Sequence, residues 1–158
     1  MARNGVGRWV LEMAAATCVA AFAANAVCAQ EDGGDQAAYI RGHYTKHEYR
    51  IPMRDGVKLY TAVYTPIDTS TSYPFMMLRT PYACNPYGAD RYTDWFGPTA
   101  DFARDGYIFV CQDVRGRMMS EGEFVNMRPH VSDKRGPRDV DESTDTYDTI
   151  EWLLANVE

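Results

Sequence analysis

Histidine is scarce in this chain. Three residues, His43, His47 and His130, occur among 158, and with the cysteines they form no metal-ligand pattern. That supports no zinc site, and no other metal or organic cofactor is implied. The four cysteines form no C-x-x-C pair, so a redox motif is not supported either. Basic charge is in deficit: 16 Lys and Arg against 22 Asp and Glu give a net charge of -6. A chain repelled by polyanions lacks the main sequence-independent attraction to nucleic acid or anionic membranes. A small-molecule partner fits better. With 46% hydrophobic and 24% charged residues, the composition is that of a soluble globular chain rather than a disordered or repetitive one.

The first thirty residues differ from the rest. Arg3 and Arg8 precede "MAAATCVAAFAANA", an apolar run too short for an ordinary membrane anchor, and "AVCAQ" follows with small residues at Val27 and Ala29. This order predicts a secretory signal over residues 1–29, cleaved after Ala29, and export to the periplasm or beyond. Cys28 does not read as a lipid-attachment site, because "ANAV" lacks the usual leucine and the small residue before the cysteine. Cleavage removes Cys18 and Cys28 and leaves Cys84 and Cys111 in an oxidising compartment. Cys111 sits inside the apolar "YIFVCQD" and reads as a small buried core residue rather than a disulfide partner.

Residues 30–45 are expected to be a flexible leading segment with little to bury, and the folded part, residues 46–158, to begin near Lys46. Two alternating runs, His47 to Met53 and Val57 to Tyr64, joined by Arg54, Asp55 and Gly56, predict a β-hairpin. Phe75 to Leu78 reads as a third strand. "DRYTDWFGPTADFARDG" has helical spacing and ends at Gly106, a left-handed C-terminal position. "YIFVCQDV" is a fourth strand covered on both faces. The strand, helix, strand order implies an α/β fold, a hairpin entering a mostly parallel sheet. Arg115 to Arg138 carries no clear periodicity and reads as a long functional loop. In the last stretch, Tyr147, Ile150, Leu154 and Val157 line one face of a predicted helix, with Leu153 beside them. That face is expected to pack on the sheet and the acidic face to be solvated.

Strand three ends in "RTPY". Functional groups of α/β sheets collect at the carboxyl ends of strands, and the neutral hydroxyl of Tyr82 could donate to a developing oxyanion. By position alone, a half-buried tyrosine packing its ring is the favoured reading. The motifs "RDGVKLYTAVYTP", "LRTPY", "GYIFVCQDVRGRMMSEGEF" and "DESTDTYDTIEWL" together resemble the N-terminal part of the peptidase S15-like serine hydrolases, the cocaine-esterase-like and X-Pro dipeptidyl-peptidase-like enzymes. "RPHVSDKRGPRDVDESTDTYDTIEWL" resembles more narrowly the α-amino acid ester hydrolases. The resemblance runs from about Glu48 to Val157. It implies that Tyr82, held by Pro81, supplies its hydroxyl to the oxyanion hole.

Asp113, Arg115 and Gly116 are expected to shape the loop beneath the site through an Asp113 to Arg115 pair or a backbone-capping network. Ser120 reads as a turn residue and His130 as a surface or loop histidine, and Glu121 and Glu123 have no further sign of an acid and base pair. None of Ser70, Ser72, Ser120, Ser132 or Ser143 lies in the G-x-S-x-G turn that such a hydrolase needs. The resemblance places the nucleophile strand directly after the last helix, and the acid, the histidine, a helical cap and a β-sandwich later still. The chain thus reads as an α/β-hydrolase N-terminal part, truncated before its nucleophile strand and inactive alone. The whole enzyme would cleave esters or amides of α-amino acids, β-lactam side chains included, through an acyl-enzyme. A carboxylesterase, a dipeptidyl-peptidase and a non-catalytic binding module are the alternatives.

Overall fold

The structure, a computed structural model, describes residues 35–97 and 99–157. The expected leader lies outside the described residues. Residues 35–43 form a helix, α1, in which Gln36, Ala37 and Ile40 are buried. Their spacing makes one helical face, and Gln36 Nε2 donates to Phe96 O at 3.2 Å. The flexible segment expected there is therefore ordered from residue 35, because three short or apolar side chains on one stripe suffice to dock it.

The alternating runs pair as expected. β1 (Tyr44–Pro52) and β2 (Lys58–Pro66) are antiparallel, with Ile51 opposite Leu59 and Tyr44 opposite Pro66. β3 (Phe75–Thr80) and β4 (Ile108–Asp113) complete a sheet of order β1-β2-β4-β3. β4 runs antiparallel to β2 and parallel to β3. The fold is α/β, but the sheet over the described residues is mixed rather than mostly parallel: the entering hairpin contributes two antiparallel pairings and the crossover one parallel pairing.

The helix expected across residues 90–106 is a single turn, α2 (Asp101–Arg104). The helical spacing of its aromatic residues has another cause. Residues 84–97 are mostly irregular chain laid across one sheet face. Phe96 stacks on Phe109 at 4.2 Å and meets Tyr64 at 4.8 Å, and Tyr87 meets Tyr60 at 5.1 Å. Lys46, buried on β1, pins this cover by donating from Nζ to the carbonyls of Pro86, Gly88 and Arg91 at 2.6, 2.9 and 2.9 Å, with Glu48 Oε1 at 2.9 Å. Burial alone would raise the Glu48 pKa, but hydrogen bonds from Tyr60, Lys46 and Gly88 outweigh it and hold the carboxyl below its ordinary value. Gly106 has φ +80, and a Cβ there would stand 2.6 Å from the Tyr73 ring, so the expected left-handed glycine is confirmed on both counts.

The other face is covered by α3 (Glu142–Asn156), with Leu153 packed among Ile51, Leu59, Val63, Ile108 and Val110. Its orientation reverses the expectation. Tyr147 and Leu154 are 58% and 65% exposed and Ile150 is also exposed, whereas Thr144, Asp145, Thr149 and Leu153 are buried. Arginines explain the reversal. Arg54 binds Asp148 through Nη2 at 2.7 Å, Arg79 Nη1 donates to Glu142 O and Thr146 Oγ1 at 3.0 and 2.7 Å, and Arg115 Nη2 donates to Asp145 at 2.6 Å. Three cations along the sheet end outweigh most of the apolar stripe in choosing which face turns inward: Asp145 and Asp148 turn to the arginines, Glu151 stays exposed, and of the stripe Val157 still packs on the sheet.

Asp141 caps this helix: Oδ1 accepts Thr144 N–H at 2.9 Å while Thr144 Oγ1 accepts the Asp141 N–H at 2.9 Å. Burial would raise its pKa, but hydrogen bonds from Val131, Ser143, Lys134 and Thr144 outweigh it and hold the carboxyl far below the ordinary aspartate range. A depressed folded pKa means that its stabilisation is full above the unfolded value of about 3.9 and drains as pH falls. Asp141→Asn keeps the cap and removes the charge. The wild-type chain is expected to lose stability more steeply than this variant between about pH 5 and 2, as read by urea midpoints at each pH. Parallel slopes would remove Asp141 from the acid response.

Candidate active site at the ends of β3 and β4

β3 ends at Thr80, whose Oγ1 accepts the Tyr82 N–H at 3.1 Å, and Pro81 O accepts from Arg117 Nε at 3.1 Å. Tyr82 follows with 84% of its surface exposed. The packing alternative, a half-buried ring, does not describe it. Ala83 has φ 95, a conformation that costs a residue with a Cβ about 1–3 kcal/mol and survives only where neighbours over-determine it. Two neighbours do.

The first is a disulfide. Cys84 is bonded to Cys111 on β4, with Cα atoms 5.6 Å apart. The expectation that Cys111 is an unpaired core residue is thus corrected: its side chain lies on the β4 face that the chain leaving β3 crosses, where it meets Cys84. The second is Asp113, fully buried at the end of β4. Its Oδ1 accepts the Cys84 N–H at 2.8 Å, and its Oδ2 accepts the Tyr87 hydroxyl at 3.0 Å and the Met119 N–H at 3.1 Å. Burial and the bond to Asp113 push the Tyr87 pKa up to about 12. One carboxylate thereby ties the loop after β3 to the loop after β4.

Of the two networks expected here, the backbone-capping one forms. Arg115 turns from Asp113 to Asp145 and Asp55, with Nε and Nη2 on Asp145 at 3.0 and 2.6 Å and Nη1 on Asp55 at 2.8 Å. Gly116, at φ +68, passes so close to the next loop that a Cβ would fall 2.1 Å from Phe124 N. Ser120 closes a turn onto Arg117 O at 2.8 Å, and its hydroxyl donates to Asp113 O at 2.6 Å and accepts from Tyr60 N–H at 2.9 Å. It is a turn residue, as expected. His130 is exposed and lies 2.9 Å from Asp141, and Glu121 accepts the Lys58 N–H at 3.0 Å. An open groove of about 820 Å³ runs along the aromatic cover, lined by Arg41, Pro86, Tyr87, Tyr92 and Trp95, with Tyr82 outside it.

The strands therefore carry an exposed tyrosine hydroxyl on a doubly anchored loop at the carboxyl end of a parallel pair, which is where an α/β sheet binds its ligand. The profile of the family described as X-Pro dipeptidyl-peptidase (S15 family) matches residues 55–158. The chain belongs to the S15 family. Cocaine esterase of Rhodococcus sp. (strain MB1 Bresler) is 40% identical to this S15 chain over 118 residues, 73% of the chain and 18% of the esterase. Among solved structures, an α-amino acid ester hydrolase labelled with selenomethionine is 40% identical, with a TM-score of 0.58 over 73% of this chain and 19% of that one. An aminopeptidase from a marine sediment Thaumarchaeota archaeon is 36% identical, with a TM-score of 0.59 over the same shares. The S15 chain thus spans about a fifth of the length of these relatives.

Sequence reasoning missed the cystine and the arginine hubs. The cysteine signal was present: two remained after the expected leader, one at the exit of β3 and one on β4.

Proposed function

We propose that this chain is the N-terminal portion of an exported serine hydrolase that cleaves esters or amides of α-amino acids through an acyl-enzyme. The exposed Tyr82 at the end of β3, in a chain of the S15 family, is the observation that carries the reading. Its hydroxyl and a backbone N–H would stabilise the tetrahedral oxyanion. The 40% identity to an α-amino acid ester hydrolase supports the amino-acyl substrate, and the equal identity to cocaine esterase supports a plain carboxylesterase as the second reading. A site built around an ammonium rejects a des-amino ester strongly, because its own carboxylates are left unpaired. Paired amino and des-amino esters therefore separate the two.

The reading requires a nucleophile from outside residues 1–158. Ser120 and Ser143 already donate their hydroxyls, to Asp113 O and Asp141 Oδ1, and no serine here has the nucleophile turn. The purified 158-residue chain is expected to take up no fluorophosphonate probe, as read by intact mass, and labelling would overturn its inactivity. The DNA beyond codon 158 is expected to encode a G-x-S-x-G segment within about twenty residues, one loop and one strand away. Its absence in all three frames would leave a non-catalytic product. Export agrees with the cystine, since disulfides persist in oxidising compartments. Cleavage after Ala29 is checked by N-terminal sequencing of the periplasmic or secreted protein.

A further inference from the structure

We infer that the Cys84–Cys111 cystine is a positioning device for Tyr82, holding the strained Ala83 so that the tyrosine keeps one direction. Its meaning for catalysis rests on the role proposed for Tyr82. The placement of the loop does not.

Tyr82 and Cys84 flank a single residue, Ala83, whose φ of 95 no alanine adopts without external constraint. Upstream, the constraints are weak and local: Thr80 Oγ1 on the Tyr82 N–H at 3.1 Å and Arg117 on Pro81 O at 3.1 Å. Downstream, the chain is fixed covalently to Cys111 and by one hydrogen bond from the Cys84 N–H to Asp113 at 2.8 Å. Asp113 also serves Tyr87 and Met119, so its carboxylate stays in place when the cystine opens. The hydrogen bond to Asp113 alone is too weak to hold a positive-φ alanine, so loss of the covalent bond frees Ala83 to return to negative φ and swing Tyr82. The sheet has no such dependence. β4 is hydrogen-bonded to β2 and β3 along its length, and its Ile108 and Val110 pack against Leu153. Opening the cystine should therefore move a loop and spare a sheet.

Dithiothreitol opens the bond by exchange, the cystine gaining two electrons and two protons to become two thiols while the reagent closes to its cyclic disulfide. Cys111 is only partly buried, which gives the reagent access. Hydrogen exchange on the 158-residue chain, read by mass spectrometry, compares the oxidised protein, the reduced protein and the C84A/C111A variant. Residues 82–85 are expected to exchange at least tenfold faster in both altered forms, while residues 87–88, held by Lys46, Glu48 and Asp113, and the strands at 44–52, 58–66 and 108–113 stay within twofold. Reoxidation should restore slow exchange in the loop. Unchanged exchange at 82–85 would overturn the inference, since Asp113 alone would then hold the loop. A rise shared by loop and strands would overturn it too, since the cystine would then be a staple of the whole fold. No nucleophile is needed for this measurement, so it can fail while the hydrolase reading survives, and the reverse.

Discussion

Replacing Tyr82 by phenylalanine, in a form of this protein that carries its serine, is expected to lower kcat by about 10²–10³-fold with little change in KM, the effect of losing one oxyanion donor, about 2.7–4 kcal/mol of barrier. The substitution removes one hydroxyl and nothing else that packs, because the ring is 84% exposed in the described chain. That exposure also sets the condition for the magnitude. A donor surrounded by water gains little over water itself, whereas the same donor in a dry site acts at a much lower effective dielectric. The full effect therefore requires that the remainder of the enzyme cover Tyr82. Burst titration with an activated ester counts competent sites, and single-turnover rates then isolate acylation. A fall of two to three decades would place the hydroxyl on the oxyanion in a closed site. A fall under tenfold would mean that water still reaches that oxygen, and unchanged acylation would remove Tyr82 from the mechanism.

The sequence was most readable where one periodicity acts alone. Hairpin alternation from His47 to Tyr64, the apolar run at Phe75 and the run at Ile108 each name a strand, and the observed bounds differ by only a few residues. It misled where two forces compete for the same residues. Tyr92 and Phe96 have helical spacing but, with Tyr87 before them, serve as separate plugs on a sheet face, with Lys46 drawing the carbonyls of Pro86, Gly88 and Arg91 onto itself. A helix over residues 90–106 would have kept the Arg91 carbonyl for its own ladder. In α3 the apolar stripe was legible and its direction was not, because the deciding partners, Arg54, Arg79 and Arg115, stand 94, 63 and 30 positions away in sequence. Tyr82 was legible as a site for a local reason: a strand end, a proline and a tyrosine are contiguous. Its anchors were not, because Cys84 to Cys111 and Cys84 to Asp113 are contacts across a crossover whose path only folding reveals.

Those arginines carry the second large effect. Arg115→Met is expected to destabilise the chain by about 3–5 kcal/mol, the usual result of removing one partner from a buried charge pair. Arg115 is buried with Asp145, and the two share bonds of 3.0 and 2.6 Å, while Nη1 reaches Asp55 in the hairpin turn at 2.8 Å. Burial pulls the Arg115 pKa down, but the hydrogen bonds it donates to Asp145 and Asp55 outweigh it and hold the guanidinium charged. Methionine fills much of the side-chain volume, so the loss reports stranded carboxylates rather than a cavity. Two are stranded, and they belong to different elements, α3 and the β1–β2 turn, both of which Arg115 joins to the end of β4. Against a total stability of about 5–15 kcal/mol for a domain, this is enough to bring a short chain close to unfolding. Substituting Asp145 by leucine in the same chain should recover much of the loss, because an apolar replacement of a buried pair is often neutral when both charges go together. Urea midpoints of the wild type, R115M and R115M/D145L make the test. A cost below about 1 kcal/mol for R115M, the range of exposed ion pairs, would mean that water follows the guanidinium into the seam. Leu153 and Trp152 would then be what holds α3 to the sheet, and its inward acidic face would follow from that packing instead of causing it.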